Sequence, residues 1–171
     1  MKHLILGGAR SGKSRYAEQC AQTTGKSVHY IATAEAGDTE MQQRIARHRR
    51  SRDRSWQLIE QPIALHDALI QISGPDTCLL IDCLTLWLSN CLAQGNWEQM
   101  REAFLVAVDA HPSDIILVSN EVGNGIVPLG QLNRRFVDES GRLHQTLASR
   151  CERVTLVTAG LPQPLKDTAS T

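Results

Sequence analysis

The feature that most constrains the fold is the segment GGARSGKS, Gly7 to Ser14, close to the start of the chain. It matches the phosphate-loop pattern, in which a glycine and four residues precede Gly-Lys-Ser, and that pattern must lie between a strand and a helix. An apolar strand candidate, Leu4 to Leu6, runs into the segment, and a helix-compatible stretch, Ser14 to Gln22, follows it. These flanks disfavour the alternative of a chance glycine-rich turn.

The residues of this loop predict the binding of a nucleoside triphosphate. Gly7, Gly8 and Gly12 allow backbone conformations that a Cβ would oppose, so successive N–H groups can turn inward around an anion. The phosphate then lies at a helix N-terminus, where the dipole and unpaired N–H groups favour negative charge. We expect Lys13 to reach the β and γ oxygens and the Ser14 hydroxyl to complete the shell of a Mg²⁺ ion.

Length and composition bound the class of protein. A chain of 171 residues predicts a single domain, residues 1–171, with a sizeable core. A formal net charge of zero and few aromatic residues argue against nucleic acid or an anionic membrane as a partner. The five cysteines are odd in number and lack CxxC spacing, which is typical of reduced cysteines in a cytosolic protein. We expect a cytoplasmic protein with no signal peptide and no membrane span.

Segments with the periodicity of strands and helices alternate along the chain. Strand candidates after the loop are Ser27 to Thr33, Trp56 to Glu60, Cys78 to Asp82, Ile115 to Ser119 and Arg153 to Thr158. Helix candidates lie at 63–72, 84–93 and 97–110, and a long one, marked by Leu132 to Leu147, has Gly141 as a weak point. After the last strand we expect a proline-containing tail. This alternation predicts an α/β fold of the P-loop nucleotide-hydrolase (RecA-like) type: a mostly parallel sheet with helices on both faces.

A further helix candidate follows the second strand. Asp38 or Thr39 is a plausible N-cap, and Met41, Ile45 and His48 lie on one helical face. The end of this segment is basic, with six arginines: Arg44, Arg47, Arg49, Arg50, Arg52 and Arg54. They are either a solvated helix face or an anion-binding surface beside the phosphate loop, since guanidinium groups match phosphate oxygens.

Polar residues follow two of the buried strands, at the edge where parallel sheets bind ligands. Asp82 ends an apolar run and is a candidate Walker B carboxylate for Mg²⁺; alternatively, it caps the helix that begins near Leu84. Asn120 and Glu121 open a glycine-rich loop after the strand at 115–119. This loop is either part of the ligand side or an ordinary turn with an acid that faces a helix.

The chain resembles one known family from its first strand to its tail. The shared segments are GGARSGKS, YIATAE, EMQQRIARHRRSR, LLIDCLT, SNEVGNGIVP and AGLPQPLK. They are similar to those of the bifunctional adenosylcobinamide kinase/adenosylcobinamide-phosphate guanylyltransferases of cobalamin biosynthesis. The phosphate loop alone is unspecific, but RIxxHxxxR together with NEVGxGIVP is specific.

The resemblance implies two reactions. Members of the family phosphorylate the aminopropanol hydroxyl of adenosylcobinamide with ATP or GTP. They then join GMP from GTP to that phosphate, which releases pyrophosphate and gives adenosylcobinamide-GDP. The second step passes through a covalent GMP-histidine, for which the matching residue here is His48. The family also implies a homo-oligomer, a trimer with active sites near the subunit contacts.

The resemblance further implies which residues contact the nucleotide. Mg²⁺ is assigned to Ser14 and Asp82, with GTP and ATP as co-substrates. Two positions depart from relatives: Arg47 precedes His48 where some members have paired histidines, and His144 stands where we expect Asn, so no role is transferred to it. The nucleotide positions are Gly7, Gly8, Ala9, Arg10, Ser11, Gly12, Lys13, Ser14, Ala32, Thr33, Ala34, Arg49, Arg50, Ser51, Arg52, Glu60 and Asp82.

The chemistry of His48 is reasonable independently of the resemblance. A neutral imidazole can attack an α-phosphorus, and neighbouring arginines would lower its pKa and neutralise the departing pyrophosphate. Without the resemblance, an ordinary half-buried helix residue beside Ile45 is the favoured interpretation of His48, and the resemblance reverses that preference. The other histidines lack metal-ligand spacing and are expected to be structural.

Two other functions remain as alternatives to the bifunctional enzyme. One is a simple P-loop small-molecule kinase, in which the arginine-rich helix is a lid. The other is a nucleotide-switched module whose basic helix grips RNA or DNA, which the zero net charge disfavours. The sequence identifies neither the corrinoid-binding residues nor a base for the kinase step.

Overall fold

The computed structural model describes residues 1–34, 53 and 55–168. Its strands are β1 (Lys2–Gly7), β2 (Ser27–Ala32), β3 (Gln57–Glu60), β4 (Thr77–Asp82), β5 (Asp114–Asn120), β6 (Arg153–Thr158) and β7 (Leu161–Asp167). Its helices are α1 (Lys13–Thr23), α2 (Leu65–Gln71), α3 (Leu84–Gln94), α4 (Trp97–Ala110) and α5 (Gln131–Arg150). The strands form one sheet in the order β3-β2-β4-β5-β1-β6-β7, in which only β7 runs antiparallel.

Alternation along the strands divides the core between the two faces of the sheet. Leu79 and Ile81 of β4 pack with α2, α3, α4 and α5, whereas Cys78 and Leu80 pack with α1. This is the period of two that a strand imposes, and it is why the central strands are apolar on both faces. The predicted α/β architecture, with helices on both faces of a mostly parallel sheet, is confirmed.

The last strand is the main departure from the sequence-based prediction. Residues 161–167 form β7, which pairs with β6 at the edge of the sheet, instead of a tail. Two prolines, Pro162 and Pro164, concealed this strand, because proline is tolerated in a sheet mainly on an edge strand. The long helix α5 also continues through Gly141 without interruption.

The strand order places the predicted site at one edge. β5 lies between β1, which leads into the phosphate loop, and β4, which ends in Asp82. Since these strands are parallel, their carboxyl ends meet at the same edge of the sheet. Among the described helices, none is long and apolar enough to cross a membrane.

Candidate active site

The phosphate loop folds around its own lysine. Gly12, immediately before α1, has a φ of 94°, and Arg10 has a φ of 57°. Two residues of the loop therefore adopt a left-handed backbone conformation. The Ser11 N–H donates to the Gly8 carbonyl at 3.2 Å. The Lys13 ammonium donates to the same carbonyl at 3.1 Å and is buried. The lysine charge is therefore held across the loop that the N–H groups line, where a phosphate would bind.

The turn between β6 and β7 supports the phosphate loop from the side. Ala159 and Gly160 have φ values of 52° and 80°, as expected of the two central residues of a type I′ hairpin turn. The Gly160 N–H donates to the Ser11 carbonyl at 2.8 Å. A Cβ on Gly12 would lie 3.1 Å from the Gly160 Cα. Sequence reasoning missed this support, because Ala-Gly is not among the dipeptides that predict a two-residue hairpin turn.

Asp82 lies at the end of β4 on the face that α1 covers. Its Oδ2 accepts a hydrogen bond from the buried Tyr30 hydroxyl at 2.9 Å. The helix-cap alternative is wrong: the N-cap of α3 is Cys83, and no side chain caps that helix. Tyr30 is thus an unpredicted partner that orients the Walker B candidate.

The donor atoms suit Mg²⁺, which takes hard oxygen ligands and usually keeps several waters or phosphate oxygens. Ser14 offers a hydroxyl in the first turn of α1, and Asp82 offers a carboxylate whose orientation the Tyr30 hydroxyl sets. Within residues 1–34, 53 and 55–168, no group of three or more His, Cys, Asp or Glu could hold a metal. A magnesium ion held by Ser14 and Asp82 would take its other ligands from phosphate oxygens and water.

The predicted contacts at the end of β2 differ in exposure. The Thr33 side chain is fully buried: its hydroxyl donates to the Cys83 carbonyl at 2.7 Å and accepts from the Cys83 N–H at 2.9 Å. Ala32 and Ala34 are half-buried. Glu60 ends β3 and is exposed; it pairs in register with Ala32. Thr33 joins the ends of β2 and β4, and a nucleotide contact at these positions stays a prediction.

The segment expected to carry the nucleophile lies outside the part of the chain that the structure describes. His48 and the residues after it, Arg49, Arg50, Ser51 and Arg52, lie outside the described residues. The same holds for the helix expected from Asp38 or Thr39 onward. Their assigned roles stay predictions.

A polar cluster lies at the end of β5, beside the phosphate loop. The Glu121 N–H donates to the Gly7 carbonyl at 3.0 Å, and the Glu121 carboxylate accepts from the Gly123 N–H at 2.6 Å. The other carboxylate oxygen lies 3.7 Å from Nδ1 of His144, a buried residue of α5. His144 Nε2 is hydrogen-bonded to the Ser119 hydroxyl at 2.8 Å. Glu121 thus faces a helix, which is one of the two alternatives that the sequence left open. Its backbone also contacts the phosphate loop through Gly7.

Comparison with known proteins decides the family. The family model described as cobinamide kinase / cobinamide phosphate guanyltransferase matches residues 3–165. The chain is 56% identical over 169 residues to the bifunctional adenosylcobalamin biosynthesis protein CobP of Pseudomonas aeruginosa, which covers 97% of this chain and 98% of the relative. The chain belongs to this family. The bifunctional adenosylcobalamin biosynthesis protein CobU of Escherichia coli is 35% identical over 182 residues, 97% of this chain and all of the relative.

The cobinamide kinase/guanyltransferase chain also has a structural neighbour. The flagellar accessory protein FlaH of Methanocaldococcus jannaschii superposes with a TM-score of 0.56 at 12% identity, covering 99% of this chain and 79% of that one. This likeness confirms the RecA-like phosphate-loop fold and nothing beyond the fold. The predicted family and its bifunctional transferase class are confirmed.

Proposed function

We propose that this chain phosphorylates adenosylcobinamide with a nucleoside triphosphate, ATP or GTP, and then transfers GMP from GTP to the new phosphate. The observation that carries the proposal is the phosphate loop with the Lys13 ammonium held across it, in a chain of the cobinamide kinase/guanyltransferase family. The product of the two steps is adenosylcobinamide-GDP, an intermediate of cobalamin biosynthesis.

The kinase step needs a fixed triphosphate and little covalent chemistry from the protein. The loop N–H groups and Lys13 bind the β and γ oxygens, so charge that moves onto the leaving diphosphate is stabilised where it develops. Ser14 and Asp82 would hold Mg²⁺, which neutralises phosphate charge when bound. The Tyr30 hydroxyl holds the Asp82 carboxylate through the hydrogen bond to its Oδ2.

We assign the guanylyl step to His48. An imidazole nitrogen attacks the α-phosphorus of GTP, the bond from that phosphorus to the bridging oxygen breaks, and pyrophosphate leaves. A phosphate oxygen of adenosylcobinamide phosphate then attacks the same phosphorus and releases the imidazole. Arg49, Arg50 and Arg52 would compensate the charge of the pyrophosphate and disfavour the imidazolium form.

Labelling separates the two-step enzyme from a simple kinase. Wild-type protein incubated with GTP labelled at the α-phosphorus should retain acid-labile, alkali-stable label, and His48→Ala should retain none while its kinase activity remains. His66→Ala is the matched control, because His66 lies on α2, which packs in a different core cluster from α1. If wild type takes up no label but phosphorylates cobinamide, the simple kinase is correct.

The subunit arrangement is part of the proposal. Ile126, Val127 and Leu129, in the loop after β5, are exposed by 98%, 71% and 97%. Exposed apolar clusters of this kind favour a protein contact over solvent. We propose a homo-oligomer, a trimer by family resemblance; a monomeric mass in light scattering at assay concentration would contradict it.

A further inference from the structure

The end of β5 places a carboxylate beside the phosphate loop that no step above uses. Glu121 follows β5 directly, and its N–H donates to the carbonyl of Gly7, the first residue of the loop, at 3.0 Å. The neighbouring Asn120 N–H lies 3.4 Å from the Thr85 hydroxyl, three residues beyond Asp82. Glu121 is therefore tied to the strand end that carries the loop and lies next to the one that carries the Walker B acid.

The Glu121 carboxylate is fixed through one of its oxygens, and the side chain is partly exposed. Its Oε1 accepts from the Gly123 N–H at 2.6 Å, which sets the direction of the side chain. Its Oε2 lies 3.7 Å from His144 Nδ1, longer than a hydrogen bond. The side chain is 24% exposed. A carboxylate oxygen offers two acceptor positions, so Oε2 can face His144 and still accept a proton or a hydrogen bond from a molecule bound at the edge of the sheet.

His144 supports the carboxylate from the core. The ring is 8% exposed, and its Nε2 is hydrogen-bonded at 2.8 Å to Ser119, which is fully buried. Burial lowers the pKa of His144, and the nearby Glu121 charge opposes this only in part, so the ring is neutral at neutral pH. When the Ser119 hydroxyl donates to Nε2, the single ring proton is on Nδ1 and points toward Glu121.

We propose that Glu121 accepts the proton of the substrate hydroxyl in the kinase step and that His144 is a positioning residue that holds its carboxylate. This inference rests on the proposed kinase function and names its base. A carboxylate in this role raises the nucleophilicity of the hydroxyl as it attacks, and it leaves the binding of the nucleotide to the loop.

The step balances without any further reactant. The hydroxyl oxygen of cobinamide forms a bond to the γ-phosphorus while its proton passes to Glu121 Oε2. The bond between the γ-phosphorus and the β–γ bridging oxygen breaks, and the nucleoside diphosphate leaves with that electron pair. Glu121 then returns the proton to solvent.

The decisive variant is Glu121→Gln, which keeps an oxygen that can accept from the Gly123 N–H but cannot take the proton. We expect its kcat for cobinamide phosphorylation to fall by about 10²-fold or more, with KM for the nucleotide unchanged. Covalent labelling by GTP at the α-phosphorus should stay at the wild-type level, which also shows that the variant is folded. Glu121→Asp, which retains a carboxylate, should keep more kinase activity than the glutamine variant.

A double-mutant cycle tests the role of His144. His144→Ala should lower the kinase kcat by about 10-fold without changing GTP labelling, because the carboxylate loses its support. Combined with Glu121→Gln, it should cause little further loss, since His144 acts through that carboxylate. Additive losses would show that His144 is merely structural and would overturn its positioning role.

The outcomes separate this inference from the proposed function. Glu102→Gln on the exposed surface of α4 is the matched control and should behave as wild type. If wild type does not phosphorylate cobinamide, the proposed function fails. If wild type is active and Glu121→Gln keeps a kcat within about twofold of it, or loses kinase and labelling activities equally, the assignment of the base is wrong.

Discussion

The two adjacent glycines at the start of the phosphate loop should respond differently to alanine. A Cβ on Gly7 would lie 2.5 Å from the Ser11 Oγ and 2.6 Å from the Val157 carbonyl oxygen, whereas a Cβ on Gly8 would meet nothing within 4 Å. The Val157 carbonyl belongs to β6, which pairs with β1, so it cannot rotate away. Gly7→Ala must therefore move the loop backbone.

The expected magnitude follows from this overlap. Forcing a methyl group against fixed backbone destabilises a protein by about 1–3 kcal/mol, and we expect Gly7→Ala to lie at about 2–3 kcal/mol. For a chain of this length that corresponds to a fall in Tm of about 4–12 °C. Gly8→Ala should stay within about 0.5 kcal/mol of wild type.

Urea unfolding followed by tryptophan fluorescence measures the difference, because Trp87 and Trp97 are fully buried. Nucleotide affinity provides a second readout: a displaced loop should bind GTP about tenfold or more weakly, a loss of about 1.4 kcal/mol or more. Equal unfolding midpoints for Gly7→Ala and Gly8→Ala would refute the argument that close approach to β6 makes Gly7 necessary.

Three further predictions concern charge and hydrogen bonding. Lys13→Ala should reduce both phosphorylation and GTP labelling, since both use the same triphosphate site; retention of either activity contradicts a shared site. Tyr30→Phe removes the hydroxyl from Asp82 and should destabilise the fold by about 1 kcal/mol. It should also raise the Mg²⁺ concentration needed for half-maximal kinase activity, measured by titration. Burial of His3, hydrogen-bonded to Thr155, lowers its pKa to about 4. The unfolded chain therefore binds the extra proton first, and stability should fall as pH drops from about 6.5 to 4; His3→Gln should flatten this dependence in urea unfolding.

The sequence predicted the central strands well because their apolar runs are continuous. The strand expected at 78–82 is Thr77–Asp82, and the one expected at 115–119 is Asp114–Asn120. A buried parallel strand must be apolar on both faces, and a short continuous run of apolar residues is typical of few other elements. The edge strand β7 lacks that constraint: six of its seven residues are exposed, so its composition did not mark it as a strand.

The hydrogen-bond partners of the site residues could not be predicted from the sequence, for a different reason. Tyr30 and Asp82 are 52 positions apart, and Ser119 and His144 are 25 apart. Each pair meets only through the strand register or the packing of a helix on the sheet, which no local pattern encodes. The type of residue at each strand end was predictable, whereas the hydrogen bond that orients it was not.

The order of strands in the sheet is compatible with the use of one phosphate loop in two reactions. The kinase step attacks the γ-phosphorus of one nucleotide and the guanylyl step attacks the α-phosphorus of another, so the two attacking groups must approach different phosphorus atoms of a triphosphate bound in the same loop. Glu121 adjoins the loop through β5, the direct neighbour of β1. The chain that leads to His48 leaves the sheet from β2, which β4 and β5 separate from β1. Because the groups assigned to the two steps follow different strands along the chain, β5 for Glu121 and β2 for His48, single substitutions should remove one activity and leave the other.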